Sequence, residues 1–167
     1  MKIKLLSWLL LLSITSNGQT PPPSTKKLLT TNYAGEYKYG TNIEKERIGI
    51  VTIYPETDST VLFYLESNRG APSYNSGAIY GRVNIKNDSG IFFMIFDVAI
   101  EGCKLKFDFT KKRLTIHTID PDDECGFGFD VFADGVFKRK SKKQVNHFVD
   151  REGNTICFAT TKPEDYN

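Results

Sequence analysis

Residues 103–109 read Cys103-Lys104-Leu105-Lys106-Phe107-Asp108-Phe109, and the reading of this heptapeptide decides the fold. Cysteine, leucine and two phenylalanines take every odd position, while lysines and an aspartate take the even ones. Side chains on a strand point to opposite faces with a period of two, so one face here is apolar and the other wet. That is the pattern of an antiparallel sheet with one face on a core. A turn at Thr110-Lys111-Lys112-Arg113 follows, and Leu114 and Ile116 continue the inner set on a strand over 113–119. The next run, Cys125-Gly126-Phe127-Gly128-Phe129-Asp130-Val131, reads as a further strand to Phe137 with an internal Asp134-Gly135 turn, its Phe127, Phe129 and Val131 facing inward. Gly126 and Gly128 on one face of that strand mark the close approach of a ring or of another backbone.

Working outward, the same period recurs over 35–39, 47–54, 60–66 and 78–86, and a further strand-like run covers 91–100. Turn-forming clusters separate these runs: Pro55-Glu56-Thr57-Asp58, Asn68-Arg69-Gly70, Asn87-Asp88-Ser89-Gly90, Glu101-Gly102 and Asp120-Pro121-Asp122-Asp123. The class is all-β: an antiparallel meander of about eight strands, closed into a small barrel or a flattened sandwich because closure removes exposed edges. The many inward phenylalanines predict a filled interior rather than a ligand cavity. Residues 91–100 are apolar on both faces and need a cover. Beyond residue 140 the pattern changes. Val145, Phe148 and Val149 have helical spacing, residues 155–160 suit a last strand, and 162–167 run out exposed. This C-terminal extension, 141–167, is expected outside the barrel, folded over 91–100.

The N-terminal end is of another kind. Lys2 and Lys4 precede an apolar run over 5–12 and small residues up to Gly18, the layout of a secretory signal peptide over 1–18. The apolar run is short of the roughly 20 residues a spanning helix needs, so no integral membrane segment is expected. No cysteine lies at the cleavage region, which excludes a lipoprotein anchor. Residues 19–32, with Pro21-Pro22-Pro23, read as an extended spacer, and 33–140 as one barrel domain with a single core. The chain carries 22 Lys and Arg against 20 Asp and Glu. Two of those lysines leave with the signal peptide, so the exported chain is formally neutral. Net charge therefore argues against a nucleic-acid partner. The Lys138-Arg139-Lys140-Ser141-Lys142-Lys143 run reads as a solvated strand end.

Three cysteines in an exported chain predict one bridge and one thiol. Cys103 and Cys125 share the inward parity, so the disulfide is placed between them and Cys157 is left free. Strands separated by a third lie about 9.6 Å apart, beyond the reach of about 7 Å between bridged Cα atoms. Cys125 must then cross the open end of the sheet. Catalytic motifs are absent: His117 lies on the polar parity, and His147 sits in a lysine-rich segment, neither beside an activated nucleophile. Asp120, Asp122, Asp123 and Glu124 lack calcium-loop spacing and read as a solvated turn. With no paired-cysteine zinc spacing and no phosphate-cradling glycine loop, no metal or cofactor is expected. The loop 66–77 has the composition of a recognition surface, with Glu66, Asn68, Arg69, Tyr74 and Asn75 as the candidate binding residues.

The sequence of motifs Cys103-x-Leu105-x-Phe107, Leu114-x-Ile116, Cys125-Gly126-Phe127-Gly128 and Asp134-Gly135-Val136-Phe137-Lys138 resembles the ending of small exported bacterial β-barrel proteins of unassigned function. The layout of a signal peptide with one disulfide-tied barrel is also similar to the periplasmic lysozyme-inhibitor families. The resemblance implies an exported protein, periplasmic or extracellular. The expected function is a non-catalytic binding module, an inhibitor being one form of it, that recognises a protein or small ligand through loops at the barrel end. A surface or assembly component using 91–100 ranks second. A hydrolase using His117 and an acidic neighbour ranks last.

Overall fold

The computed structural model describes residues 29–95, 102–119 and 125–166. After a 3₁₀ turn at Leu29–Asn32 come β1 (Gly35–Tyr39), β2 (Ile48–Pro55), β3 (Thr60–Asn68), β4 (Ser76–Asn84), β5 (Ser89–Met94), β6 (Cys103–Phe109), β7 (Arg113–Thr118) and β8 (Gly135–Ser141). A short hairpin of β9 (His147–Val149) and β10 (Thr155–Cys157) and a helical turn, α1 (Pro163–Tyr166), complete the chain. The first eight strands form one antiparallel sheet in the order β4-β3-β2-β1-β8-β7-β6-β5. Two four-stranded meanders are thus joined by the pairing of β1 with β8, where Tyr37 lies opposite Arg139 and Lys38 opposite Lys138.

Between β4 and β5 there is no ladder beyond the isolated bridge of Lys86 with Ser89. A ring closes the seam instead. Phe92 of β5 lies over Gly81 of β4, where a Cβ would come within 2.4 Å of the ring, and meets Phe63 edge-on at 5.1 Å. The barrel is nearly closed, with side chains where the last ladder would be. Its interior is filled by Tyr37, Val51, Ile53, Phe63, Leu65, Leu105, Phe107, Leu114, Ile116 and Phe137, all fully buried. On β6 the odd positions are buried and the even ones face solvent, as the alternation requires.

The C-terminal extension packs outside the barrel, but on a different wall from the one expected. Phe148, Phe158 and the partly buried Ile156 and Tyr166 cover Leu62 and Tyr64 of β3 and Tyr80 of β4. The reason lies in β3, whose Val61 to Leu65 are all buried, so this strand too is apolar on both faces. Its outer face, flanked by Tyr54 and Tyr80, is an aromatic platform. Phe148 stacks on Tyr64 at 4.0 Å and Phe158 on Tyr54 at 5.3 Å. The Tyr80 hydroxyl donates to the Thr161 carbonyl at 2.7 Å, and Arg82 pairs with both Glu56 and Glu164.

Three further expectations are corrected. Residues 147–149 are a strand, not a helical turn: Phe148 pairs with Ile156 across a hairpin whose turn is fixed by the Asp150 carboxylate accepting from Asn154. The helical turn lies instead at 163–166, where an exposed end was expected. The strand expected from Phe127 begins only at Gly135. Phe127 packs on Gly77, where a Cβ would lie 2.1 Å from its ring, and Asp130 adopts a left-handed φ of 60° that interrupts the alternation. Phe129 consequently points out, 85 % exposed.

Cys103 and Cys125 form the disulfide, with Cα atoms 4.4 Å apart, and Cys157 is a free thiol. Closing a loop with a sequence separation of 22 stabilises by about 3 kcal/mol through the unfolded chain. The expected signal peptide over 1–18, most of the expected spacer, the second half of 91–100 and the acidic turn 120–124 lie outside the described residues. Among the described residues no helix is long and apolar enough to cross a membrane, and no His, Cys, Asp and Glu cluster is placed to hold a metal ion.

Candidate functional site at the loop end of the barrel

Antiparallel alternation sends the β1–β2, β3–β4 and β7–β8 connections out of the same end of the barrel, together with the disulfide. The three loops are tied to one another. Arg69 Nε donates to the Asp130 carboxylate at 2.5 Å and its terminal nitrogen donates to Ser73 Oγ, so a cation of the second loop holds the third. The Tyr74 hydroxyl donates to Glu44 of the first loop, and this carboxylate pushes the phenol above its ordinary range. Asn75 Nδ2 donates to the Phe129 carbonyl at 2.8 Å, and the Ala71 amide to the Ile43 carbonyl at 2.9 Å. Gly70 lies against the backbone carbonyls of Ile43 and Glu46, where any Cβ would be 2.6 Å from both. Within the first loop, the backbone and then the hydroxyl of Thr41, with the Asn42 amide, donate to Glu46 and hold its carboxyl below the usual range.

These contacts assign different places to the residues singled out from the sequence. Arg69 and Asn75 brace the rim, and Asn68 does so locally, accepting from the Gly70 amide and donating to the Tyr74 carbonyl. Tyr74 keeps a half-exposed ring. Glu66 is not in the loop: it sits within β3, opposite Ile50 and Ala78. The residues missed by sequence reasoning are Phe129 and Phe132. Phe132 is 47 % exposed, with the Arg47 guanidinium 4.9 Å from its ring centre. Period-two counting placed Phe129 inside; the signal against it was Gly128-Phe129-Asp130, a turn-prone triplet.

The irregular β7–β8 loop walls an open concavity of about 670 Å³ that includes Phe127, Phe129, Val131 and Phe132, with Thr118 and Asp134 at its lip. A smaller depression of about 430 Å³, which shares Asp130 and Phe132 with it, is bounded by Lys45, Arg47 and Arg69. Tyr74 and Asp130, one on each bracing loop, both have left-handed backbone conformations, with φ of 54° and 60°. A bulky residue such as tyrosine adopts that region only when its surroundings over-determine it, and such positions cluster at ligand clamps.

His117 does have an acidic neighbour. Its Nδ1 lies 3.2 Å from Asp134 Oδ1, and Asp134 also accepts from the Thr118 amide and hydroxyl. Burial works to raise the Asp134 carboxyl, yet these hydrogen bonds and the histidine outweigh it and hold it below the usual range. The Thr118 hydroxyl is engaged by the carboxylate, and among the described residues no hydroxyl or thiol is hydrogen-bonded to the other nitrogen of His117. The pair is an exposed brace beside the concavity.

Fold and rim together define a disulfide-tied, nearly closed eight-stranded β-barrel with a pre-braced, aromatic-studded loop end. The chain matches no protein-family model, no curated protein and no solved structure.

Proposed function

We propose that this protein is an exported, non-catalytic binding module whose partner docks on the loop end of the barrel. The reading rests on Phe129: a phenylalanine 85 % exposed on a loop that is itself held by Asn75, by Arg69 through Asp130, and by the disulfide. A large aromatic side chain presented on a braced backbone loses little conformational freedom on binding, and aromatic residues are enriched at interface centres. Phe132 and Tyr74 extend the same surface. An inhibitor is the form of this function in which Phe129 enters a partner's cleft. Export is supported by the N-terminal sequence and by a disulfide in a small domain.

The test is a crosslinking capture from the exported fraction of the native host, with wild type and the double variant Phe129→Ser, Phe132→Ser. The double variant should keep its melting temperature and lose the captured partner. Recovery of the same partner in the same yield by both proteins would end the proposal. A second reading, assembly through β5, is favoured by Ile91 and Phe93, which stand 55 % and 54 % exposed on the outer face of an edge strand. A monomer by sedimentation at high concentration would count against it.

A further inference from the structure

Lys138 and Lys140 lie on the outward parity of β8, since Phe137 between them and Val136 faces the core. The sheet register sets Lys138 opposite Lys38 of β1 on one side and opposite Arg113 of β7 on the other. Three cations therefore stand in one row across three neighbouring strands, about 4.8 Å from one strand to the next. Like charges directly opposite each other destabilise a sheet. Lys38 has Glu36 at 3.0 Å, whereas among the described residues neither Lys138 nor Arg113 is paired with a carboxylate.

The row opens onto a groove of about 550 Å³ between the β6–β7 turn and the end of β8, and every residue lining it except Ser141 is a lysine or an arginine. Lys111 and Lys112 come from the turn, Lys140 and Lys142 from the end of β8. The turn is fixed, not floating: the Arg139 amide donates to the Lys112 carbonyl at 2.8 Å, and the Thr110 hydroxyl accepts from the Arg113 amide at 3.0 Å. Arg139 itself turns inward over the Tyr37 ring and donates to the Ala34 carbonyl, placing its charge at the base of the groove. A chain that is formally neutral beyond residue 18 thus holds seven of its lysines and arginines around one groove.

The chemistry of the groove narrows the occupant. It contains no aromatic side chain, so it lacks the stacking platform on which single-stranded nucleic acid is held. It contains no apolar side chain to enter a bilayer. Lysines dominate, and their charges on flexible stems suit a series of anions at uneven spacing better than one planar, bidentate group. Along β8 the outward cations repeat at about 6.8 Å, in keeping with an extended ligand lying along the strand. We propose that this wall binds a linear anionic polysaccharide whose sulfates or carboxylates lie along the groove.

The test uses the full mature chain and heparin as the probe, with affinity followed by calorimetry at about 50 mM salt and again at about 200 mM, since counterion release makes polyanion binding steeply salt-dependent. Wild type should bind and weaken at the higher salt. The variant Lys112→Gln, Arg113→Gln, Lys138→Gln should lose roughly tenfold or more in affinity while folding at least as stably, because it relieves the opposed charges. The charge-matched variant Lys106→Gln, Arg151→Gln, Lys162→Gln, none of whose positions lines the groove or the loop end, should bind like wild type. No heparin binding by wild type, or equal losses in the two variants, would overturn the proposal, the second outcome meaning diffuse charge and no site. Tighter binding to duplex DNA or to phosphatidylglycerol vesicles than to heparin would overturn the choice of occupant. The loop end is untouched by these changes, so the two functional readings fail separately.

Discussion

Phe148→Ala tests the outer aromatic layer. The β9–β10 hairpin has only three residue pairs and no ladder to the main sheet, and an isolated two-stranded hairpin is marginal in water. Its stability must come from the wall it covers. Phe148 is buried, stacked on Tyr64 at 4.0 Å and tilted against Tyr80 and Phe158, each at 5.0 Å. Truncating a buried phenylalanine costs about 3–5 kcal/mol, and loss of this one also uncovers Leu62, Tyr64 and Tyr80. Val149, its exposed neighbour, should cost under about 0.5 kcal/mol when changed to alanine. Urea unfolding of the mature chain reads both, by circular dichroism and by tyrosine emission, which is unobstructed because the single tryptophan, Trp8, lies in the expected signal peptide. Hydrogen exchange should show the β9 and β10 amides losing protection in Phe148→Ala. A loss below about 1 kcal/mol with unchanged protection would mean that the extension does not depend on this wall, and the assignment of a second core would fall.

Two other outcomes follow from the same structure. Asp134 is held below its ordinary carboxyl range in the folded state, so its contribution to stability is fully present above the unfolded value near 3.9 and is lost as pH falls through the lower folded value; in denaturant titrations from pH 7 to about 2, Asp134→Asn should remove part of the wild-type decline below about pH 4, and an identical decline in both proteins would refute it. Among the described residues the buried Tyr64 hydroxyl has no hydrogen-bond partner, so Tyr64→Phe should raise stability by about 1 kcal/mol, and a loss of that size would show that the hydroxyl is satisfied in solution.

The alternation over 103–109 settled the strand, its inner face and the disulfide partner of Cys103, because side-chain direction is a local consequence of extended backbone. Tight turns between such strands implied a meander of about eight, and the inward phenylalanines a filled interior. The site was legible only in part. The loop 66–77 was recognisable by composition, yet whether Arg69 reaches a ligand or a carboxylate depended on Asp130, which lies 61 residues away in sequence. Phe129 was lost to the assumption of an unbroken strand, since a turn closed by the Val131 amide donating to the Gly128 carbonyl carries Phe129 at its tip. The wall covered by the extension could not be chosen from sequence: both 61–65 and 91–95 are apolar on two faces, and only shape, with Tyr54 and Tyr80 flanking β3, selects between them. In the same way Lys38, Arg113 and Lys138 belong to separate segments, and the first two are unremarkable in the sequence. Local periodicity determines which way a side chain points, whereas register and barrel closure determine what it meets, and those are long-range properties that only the folded chain decides.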